Sequence, residues 1–198
     1  MNKWPFITPG IPDGWFERLP GIPMSECEVR LIMISHLRLT ARSLLWDIGA
    51  GTGTIPVETG LLCPQGQILA IERDAEVAEL IRINCEKFGV TNVQILLGSA
   101  PACLEQLTEN PDRICVEGGR SMSEILEYCW QRLVPQGRIV AIANSLENLY
   151  QISGSFAQLQ VRNVEIVQSA INRLETRGSR QVFAAVNPTF IISGEKLD

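Results

Sequence analysis

Histidine is nearly absent from this sequence, which has only His36, and its six cysteines never form a C-x-x-C pair. Structural zinc sites are built from cysteine and histidine at such short spacings, so no metal site is predicted. A chain of this size does not need disulfide staples, and no export signal is expected in it. We therefore expect the cysteines to be free thiols in a reducing compartment.

An excess of positive charge is also missing. The chain has 17 Lys and Arg against 22 Asp and Glu, a net charge of −5. General nucleic-acid binders need clustered cations that meet phosphates, so this class is disfavoured. No apolar run approaches the roughly 20 residues that span a bilayer, and residues 1–10 have no long apolar core. The sequence predicts a cytoplasmic protein that binds neither nucleic acid nor membrane.

Length and composition give no reason to expect two domains. With 198 residues and 45% hydrophobic content, the chain can bury one substantial core. Five prolines in residues 1–24 disfavour regular helix and predict an extended arm. We expect a single domain over residues 1–198 that includes this arm.

The most informative segment is residues 47–53, which read Asp-Ile-Gly-Ala-Gly-Thr-Gly. They follow the apolar run 43–46 and precede a helix-like stretch, so they predict a sharp turn from a strand into a helix. Glycine leaves no side chain between backbone and ligand, and a helix start points free N–H groups at anionic groups. A nucleotide-like cofactor is therefore expected at this glycine turn.

The spacing of the glycines decides between cofactor classes. The dinucleotide fingerprint G-x-G-x-x-G needs its third glycine at position 54, where Thr54 stands, and no G-K-[ST] follows for a P-loop. NAD and ATP are therefore disfavoured. Glu72 ends the next apolar run, 67–71, where a carboxylate can accept hydrogen bonds from both vicinal hydroxyls of a ribose.

Strand-like and helix-like segments alternate through most of the chain. Strands are predicted at 43–48, 67–72, 93–97, 112–117 and 138–143, and helices at 54–61, 74–88, 100–107, 121–133 and 145–159. Asp74 is a predicted helix cap, and Gly89 is the predicted left-handed end of the same helix. Repeated β-α-β units predict a parallel sheet covered by helices on both faces.

The C-terminal part is predicted to form an antiparallel hairpin. Residues 161–172 and 179–192 are strand-like, and the polar link 173–178 leaves no room for a crossover helix. The predicted fold is therefore α/β, with a mostly parallel sheet that ends in this hairpin.

Another helix is predicted before the glycine turn, with Ser25 as its cap and an apolar face that continues to about Leu39. His36 lies on that face. A lone histidine there is more often a packing residue than a catalytic base.

The glycine turn and Glu72 together resemble class I S-adenosylmethionine-dependent methyltransferases, whose sheets also end in an antiparallel hairpin. Over nearly its whole length the chain resembles one family among them, the CbiT type. That family methylates C15 of precorrin-6B or its cobalt form and decarboxylates the C12 acetate in cobalamin biosynthesis. The segments that carry the resemblance are 10–13 with Phe16, 23–25, 45–53, 70–73, 98–101, 143–144, 146–148 and 187–188. The resemblance implies a Rossmann-like fold with a seven-stranded sheet, S-adenosylmethionine as cofactor, a precorrin tetrapyrrole as substrate and a homotetramer.

The resemblance also implies which residues hold the cofactor. The glycine turn approaches the methionine part, Glu72 holds the ribose, and Ser25 stands where the family has a threonine that contacts the cofactor, with a helix cap as its alternative role. The predicted set is Ser25, Asp47, Gly49, Ala50, Gly51, Thr52, Gly53, Glu72, Arg73, Ser99 and Ala100. The chain departs from the family at Ser99, where Asp is usual, and at 117–120, where the family is typically neutral and glycine-rich.

The chemistry of such a substrate indicates further candidates. Methyl transfer to an electron-rich macrocycle needs positioning rather than a base, so no catalytic residue is assigned. Anchors for the tetrapyrrole carboxylates are expected among Arg120, Arg138, Arg173, Arg177 and Arg180. Asn144 and Glu147 follow the fifth strand, where a parallel sheet opens its ligand crevice, and are expected to orient the substrate or to cap the next helix.

Two other interpretations stay open. One is a class I methyltransferase that acts on RNA or protein, although no Asn-Pro-Pro-aromatic motif follows the fourth strand and residues 187–190 lie in the wrong place to substitute. The other is a non-catalytic S-adenosylmethionine-binding subunit of a larger assembly.

Overall fold

The computed structural model describes residues 4–22 and 24–197. Within these ranges the strands are β1 Leu44–Ile48, β2 Gln67–Glu72, β3 Val93–Leu97, β4 Arg113–Val116, β5 Arg138–Ala143, β6 Arg162–Ser169, β7 Asn172–Arg177, β8 Arg180–Ala185 and β9 Thr189–Glu195. The α-helices are α1 Cys27–Leu37, α2 Thr54–Leu62, α3 Ala75–Phe88, α4 Met122–Arg132 and α5 Leu146–Gln158. Short 3-10 helices occupy Asp13–Trp15 and Ala102–Gln106.

Seven strands form one sheet in the order β3-β2-β1-β4-β5-β9-β6. The first five strands of the chain are parallel, and β9 runs antiparallel between β5 and β6. The mostly parallel seven-stranded sheet is therefore confirmed. Strand order reverses between β1 and β4, and open α/β sheets form their ligand crevice beside the carboxyl ends of the strands at such a point.

Helices cover both faces of this sheet, as predicted. On one face α4 and α5 bury side chains such as Ile125 and Phe156. On the other face α1 and α2 contribute Met33 and Ile55, and α3 packs beside them through Ile81. The carboxyl edge of the sheet is left free to hold a site.

Local signals in the sequence set the ends of most elements. The Asp74 carboxylate accepts hydrogen bonds from the backbone N–H groups of Glu76 and Val77, and Gly89 ends α3 with a φ of 73°. β2, β3 and β5 have the predicted bounds, and the other elements predicted before residue 160 end within about two residues of the prediction. The predicted helix 100–107 is a 3-10 helix.

The antiparallel pairing near the C-terminus is confirmed, but the predicted number of strands was wrong. β6 pairs with β9 in the main sheet, whereas β7 pairs with β8 in a separate two-stranded sheet. Most of the predicted link 173–178 lies in β7, which shows no apolar alternation because nearly all of it is exposed. Pro188 has no N–H to donate, so it separates β8 from β9.

The start of the first helix also differs from the prediction. α1 begins at Cys27 with Glu26 at the capping position, so Ser25 as a helix cap was wrong. The Ser25 hydroxyl instead donates a hydrogen bond to the Glu117 carboxylate. His36 is mostly buried with its Nδ1 2.8 Å from Ser193 Oγ, which fits the predicted packing role.

The predicted proline-rich arm lies against the domain core where it is described. Residues 1–3 and 23 of the arm lie outside the described residues. In the remainder, Ile11 and Phe16 are buried against Phe88 and its neighbours. Each helix in the described part of the chain is too short or too polar to cross a lipid bilayer.

Candidate cofactor and substrate site

Two adjoining cavities open at the carboxyl edge of the sheet. Cavity A, of about 300 Å³, lies between the glycine turn, the end of the arm and the segment before β9. Cavity B, of about 450 Å³, lies between the ends of β2, β3 and β4. Gly49, Gly51 and Glu117 line both cavities. One elongated ligand can therefore extend from one cavity into the other.

The glycine turn needs glycine for two different reasons. Gly49 has a φ of 78°, and a Cβ there would lie 3.1 Å from the Gly118 nitrogen, so glycine lets the loops after β1 and β4 approach each other. Gly53 has a φ of 81°, and a Cβ there would lie 3.0 Å from Ile81 Cα. Gly53 therefore serves the packing of α2 against α3, whereas Gly49 and Gly51 border the cavities.

The Glu72 carboxylate is held at the end of β2 by three backbone amides. Its Oε2 accepts from Gly51 N–H at 3.1 Å, and its Oε1 accepts from the N–H groups of Arg73 and Asp74 at 2.8 and 3.0 Å. Each carboxylate oxygen has two acceptor positions, so Oε2 can accept one more hydrogen bond whereas both positions of Oε1 are used. Glu72 is therefore a fixed acceptor on the wall of cavity B.

An acidic cluster lies behind the glycine turn, between the two cavities. A carboxylate oxygen of Asp47, the Cys115 Sγ and a carboxylate oxygen of Glu117 lie within 4.8 Å of one another. Asp47 is fully buried, and neither of its oxygens accepts a hydrogen bond from a described residue. Burial, and then the charge of Glu117, raises the pKa of Asp47 well above its ordinary value. Burial raises the pKa of Glu117 to about 7.

These shifts predict that Glu117 makes the folded protein less stable as the pH rises. The folded carboxyl keeps its proton up to about pH 7, whereas the unfolded group releases it near 4.5. Folding therefore takes up a proton between these values, and stability falls as the pH rises through them. Relative to wild type, Glu117→Gln should gain about 1–3 kcal/mol between pH 5 and pH 8.

Urea unfolding of both proteins at the two pH values measures this change. Glu147→Gln, at an exposed position on α5, should follow wild type. A constant difference between Glu117→Gln and wild type across this range would show that Glu117 does not carry the effect.

The structure brings most of the predicted cofactor residues together. Those that line cavity A are Ser25, Gly49, Ala50, Gly51 and Thr52. Those that line cavity B are Gly49, Gly51, Glu72, Arg73, Ser99 and Ala100. Asp47 lies buried behind the turn and Gly53 faces α3, so neither lines a cavity.

Of the two polar residues predicted after β5, Asn144 lines cavity A and Glu147 lines neither cavity. Their alternative role as a helix cap was wrong, because the Ser145 hydroxyl accepts the capping hydrogen bond from Asn148 N–H at 3.2 Å.

The five predicted arginine anchors lie in different places. Arg120 lines cavity B. Arg138 starts β5, at the opposite edge of the sheet, where its Nε donates to the His36 carbonyl at 2.8 Å. Arg138 therefore does not lie at the predicted site. Arg173 is bound by acidic side chains near α1, and Arg177 and Arg180 are exposed on the β7–β8 hairpin.

Sequence reasoning missed several residues of the site. Glu117, Asn187 and Thr189 line cavity A. Glu117 gave a usable signal, because it directly follows the buried strand β4 and precedes two glycines. Asn187 carried part of the family resemblance but was assigned no role, and Thr189 gave no signal, because the turn that places both follows β8, which was predicted as part of a longer strand.

Comparison with known proteins agrees with this geometry. A family model described as precorrin methyltransferase domain matches residues 19–196. A Saccharolobus solfataricus protein named probable cobalt-precorrin-6B C(15)-methyltransferase (decarboxylating) is 38% identical, over 98% of this chain and 99% of that protein. The cobalt-precorrin-6B C(15)-methyltransferase (decarboxylating) of Salmonella typhimurium is 31% identical, over 93% of this chain and 95% of that protein.

The similarity extends to three dimensions. The crystal structure of precorrin-6y C5,15-methyltransferase from Geobacter metallireducens matches with a TM-score of 0.89 at 31% identity, over 95% of this chain and 98% of that one. The predicted Rossmann-like methyltransferase fold is therefore confirmed. A family match over nearly the whole chain, together with relatives above 30% identity, establishes that the chain belongs to the precorrin methyltransferase domain family.

Proposed function

We propose that this enzyme transfers a methyl group from S-adenosylmethionine to C15 of precorrin-6B or its cobalt form and decarboxylates the C12 acetate, in cobalamin biosynthesis. Its relatives are named for this reaction. The observation that carries the proposal is Glu72, a fixed carboxylate that stands beside a glycine turn shared by two cavities.

The residues fit S-adenosylmethionine. Glu72 is placed to accept a hydrogen bond from a ribose hydroxyl, and Ser99 and Ala100 line the same cavity, where the adenine would lie. The glycine turn and Ser25 border cavity A, where the methionine part would lie. Bound there, S-adenosylmethionine supplies an electrophilic methyl group.

The contribution of the protein to methyl transfer would be positioning. The acceptor carbon belongs to an electron-rich conjugated macrocycle, so no base is needed to activate it. Holding the reacting atoms in line and excluding water can supply much of the acceleration. The residues available to orient the substrate are Asn144 in cavity A and Arg120 in cavity B.

The other predicted arginine anchors line neither cavity. Arg173 forms ion pairs with Asp13 at 2.9 Å and Glu26 at 2.8 Å and also contacts Glu28, so binding a substrate carboxylate would break existing pairs. Arg177 and Arg180 stand on the exposed hairpin and could meet carboxylates at the substrate periphery.

Incubation of the protein with S-adenosylmethionine and precorrin-6B, followed by mass spectrometry, tests this function. The expected product has gained one methyl group and lost one CO₂. A product without either change would contradict the proposal. Methylation of RNA or protein substrates, or cofactor binding without any transfer, would favour the other two interpretations.

We also propose that the enzyme is a homotetramer that acts in the cytoplasm. The six cysteines are free thiols, as suits a reducing compartment. Apolar side chains are exposed on the β7–β8 hairpin, where Leu174 and Phe183 face each other across the strands and are 56% and 77% exposed. Contiguous exposed apolar side chains mark contact surfaces, whereas single ones are ordinary, so this adjacent pair is the part of the hairpin that we propose meets another copy of the chain.

Phe183→Asp is expected to shift the protein from tetramers to smaller species, because it places a charge within this apolar pair. Sedimentation velocity measures the shift. Ile95→Asp is the control, since it adds the same charge at an exposed apolar position on β3, at the far edge of the sheet. Unchanged sedimentation of Phe183→Asp would exclude the hairpin from the assembly surface.

A further inference from the structure

Glu117 lies at the centre of the site but has no role in the methyl transfer proposed above. Among the described residues, it is the one with a titratable side chain that lines both cavities. It follows β4 directly, and its backbone N–H donates to the Ile48 carbonyl at 2.9 Å. Its carboxylate therefore stands where cofactor and substrate would meet.

The groups that surround Glu117 favour a proton on this carboxyl group. Asp47 on β1 is buried and acidic, the Cys115 thiol lies on β4, and both lie within 4.8 Å of Glu117. From the arm, the Ser25 hydroxyl donates a hydrogen bond. A buried carboxyl group and a half-buried one this close cannot both ionise without a large electrostatic cost. The pair therefore holds a proton near neutral pH.

The nearest charges on other elements do not remove that proton. Arg30 on α1 acts on Glu117 through its charge, but the carboxylates that accept its hydrogen bonds are those of Glu58 and Asp13. Glu72 on β2 adds negative charge beside Asp47.

The proposed reaction requires a proton at one definite carbon. After C15 has gained its methyl group, the conjugated macrocycle carries a positive charge. The bond between the C12 side-chain CH₂ and its carboxylate then breaks, CO₂ leaves, and the electron pair enters the ring system and neutralises that charge. The former CH₂ is now an exocyclic methylene. It becomes a methyl group when it gains a proton, and the ring system must lose one proton to stay neutral.

We propose that Glu117 is the catalytic acid that protonates this methylene, and that the Glu117–Asp47 pair takes up the proton that the ring system loses. The inference rests on the proposed function. The two proton transfers balance, so the acid is regenerated and no further reagent is needed. C12 belongs to a ring bonded to C15, so a substrate with C15 at the junction of the cavities would hold its C12 side chain near Glu117.

Single-turnover reactions of metal-free precorrin-6B in D₂O test the assignment. Proton NMR distinguishes the C12 methyl group from the methylene, and mass spectrometry reports methyl gain and CO₂ loss. We expect Glu117→Gln to form the methylated, decarboxylated product but to convert methylene to methyl about 100-fold more slowly than wild type. Glu117→Asp should recover part of this rate. Glu76→Gln should behave as wild type, since Glu76 is an exposed carboxylate on α3 that lines neither cavity.

A second measurement does not depend on turnover. In infrared difference spectra of the ligand-free protein, wild type minus Glu117→Gln, a protonated carboxyl band is expected at pH 6 and should be absent at pH 9. Conversion at the wild-type rate in Glu117→Gln, or no such band at pH 6, would overturn this inference alone. Wild-type protein that leaves the mass of the substrate unchanged would overturn the proposed function as well.

Discussion

Replacing Glu72 by alanine is expected to weaken binding of S-adenosylmethionine by a factor of about 10–100. The carboxylate is fixed by three backbone amides and would accept a hydrogen bond from a ribose hydroxyl on Oε2. A hydrogen bond to a charged group contributes about 1.5–3 kcal/mol, so its loss corresponds to a factor of about 10–100. Isothermal titration calorimetry with the cofactor measures the change.

Glu76→Ala is the matched control for this prediction. Glu76 is an exposed carboxylate on the first turn of α3, four residues further along the chain. It should bind the cofactor as wild type does. Circular dichroism of Glu72→Ala checks that the fold persists. An affinity within threefold of wild type would mean that the ribose lies elsewhere.

Arg30→Met is expected to destabilise the protein by about 3–5 kcal/mol, because it leaves a buried carboxylate without its partner. Arg30 is fully buried, and its Nε lies 2.7 Å from Glu58 Oε1. It also donates to the carbonyls of Ile11 and Ser25, both at 2.6 Å. The same guanidinium therefore fixes the arm and the backbone of a residue that lines cavity A.

Urea denaturation measures this loss, and Arg82→Met provides the comparison. Arg82 also pairs with two glutamates, Glu79 and Glu86, but on the exposed face of α3. Exposed ion pairs contribute little, so its unfolding midpoint should stay close to that of wild type. The double variant Arg30→Met with Glu58→Met should recover much of the loss, because it removes the unpaired charge. Equal effects of Arg30→Met and Arg82→Met would contradict the role of the buried network.

The sheet and its helices could be predicted because short-range signals determine them. β2 and β5 are buried apolar runs, and α3 carries both its cap, Asp74, and its terminal glycine, Gly89. The strand boundaries in the hairpin region could not be predicted from such short-range signals. β7 is exposed, so its residues show no hydrophobic period, and its boundary with β6 depends on pairing with distant strands.

The same distinction between local and long-range signals decides which residues of the site could be predicted. The glycine turn and Glu72 were found because their chemistry follows from local spacing at strand ends. Arg138 was misplaced because a residue beside a strand can lie at either edge of the sheet, and it starts β5 rather than following it. The cluster of Asp47, Cys115 and Glu117 joins two strands that are far apart in sequence, so it became visible only in the sheet register.

A crystal structure with bound S-adenosylhomocysteine is the most direct test of where the cofactor lies. It should place the ribose hydroxyls against the Glu72 carboxylate, the adenine beside Ser99 and the sulfur near the glycine turn between cavities A and B. Both cavities empty at saturating ligand, or a ribose bound away from Glu72, would contradict this account of the site.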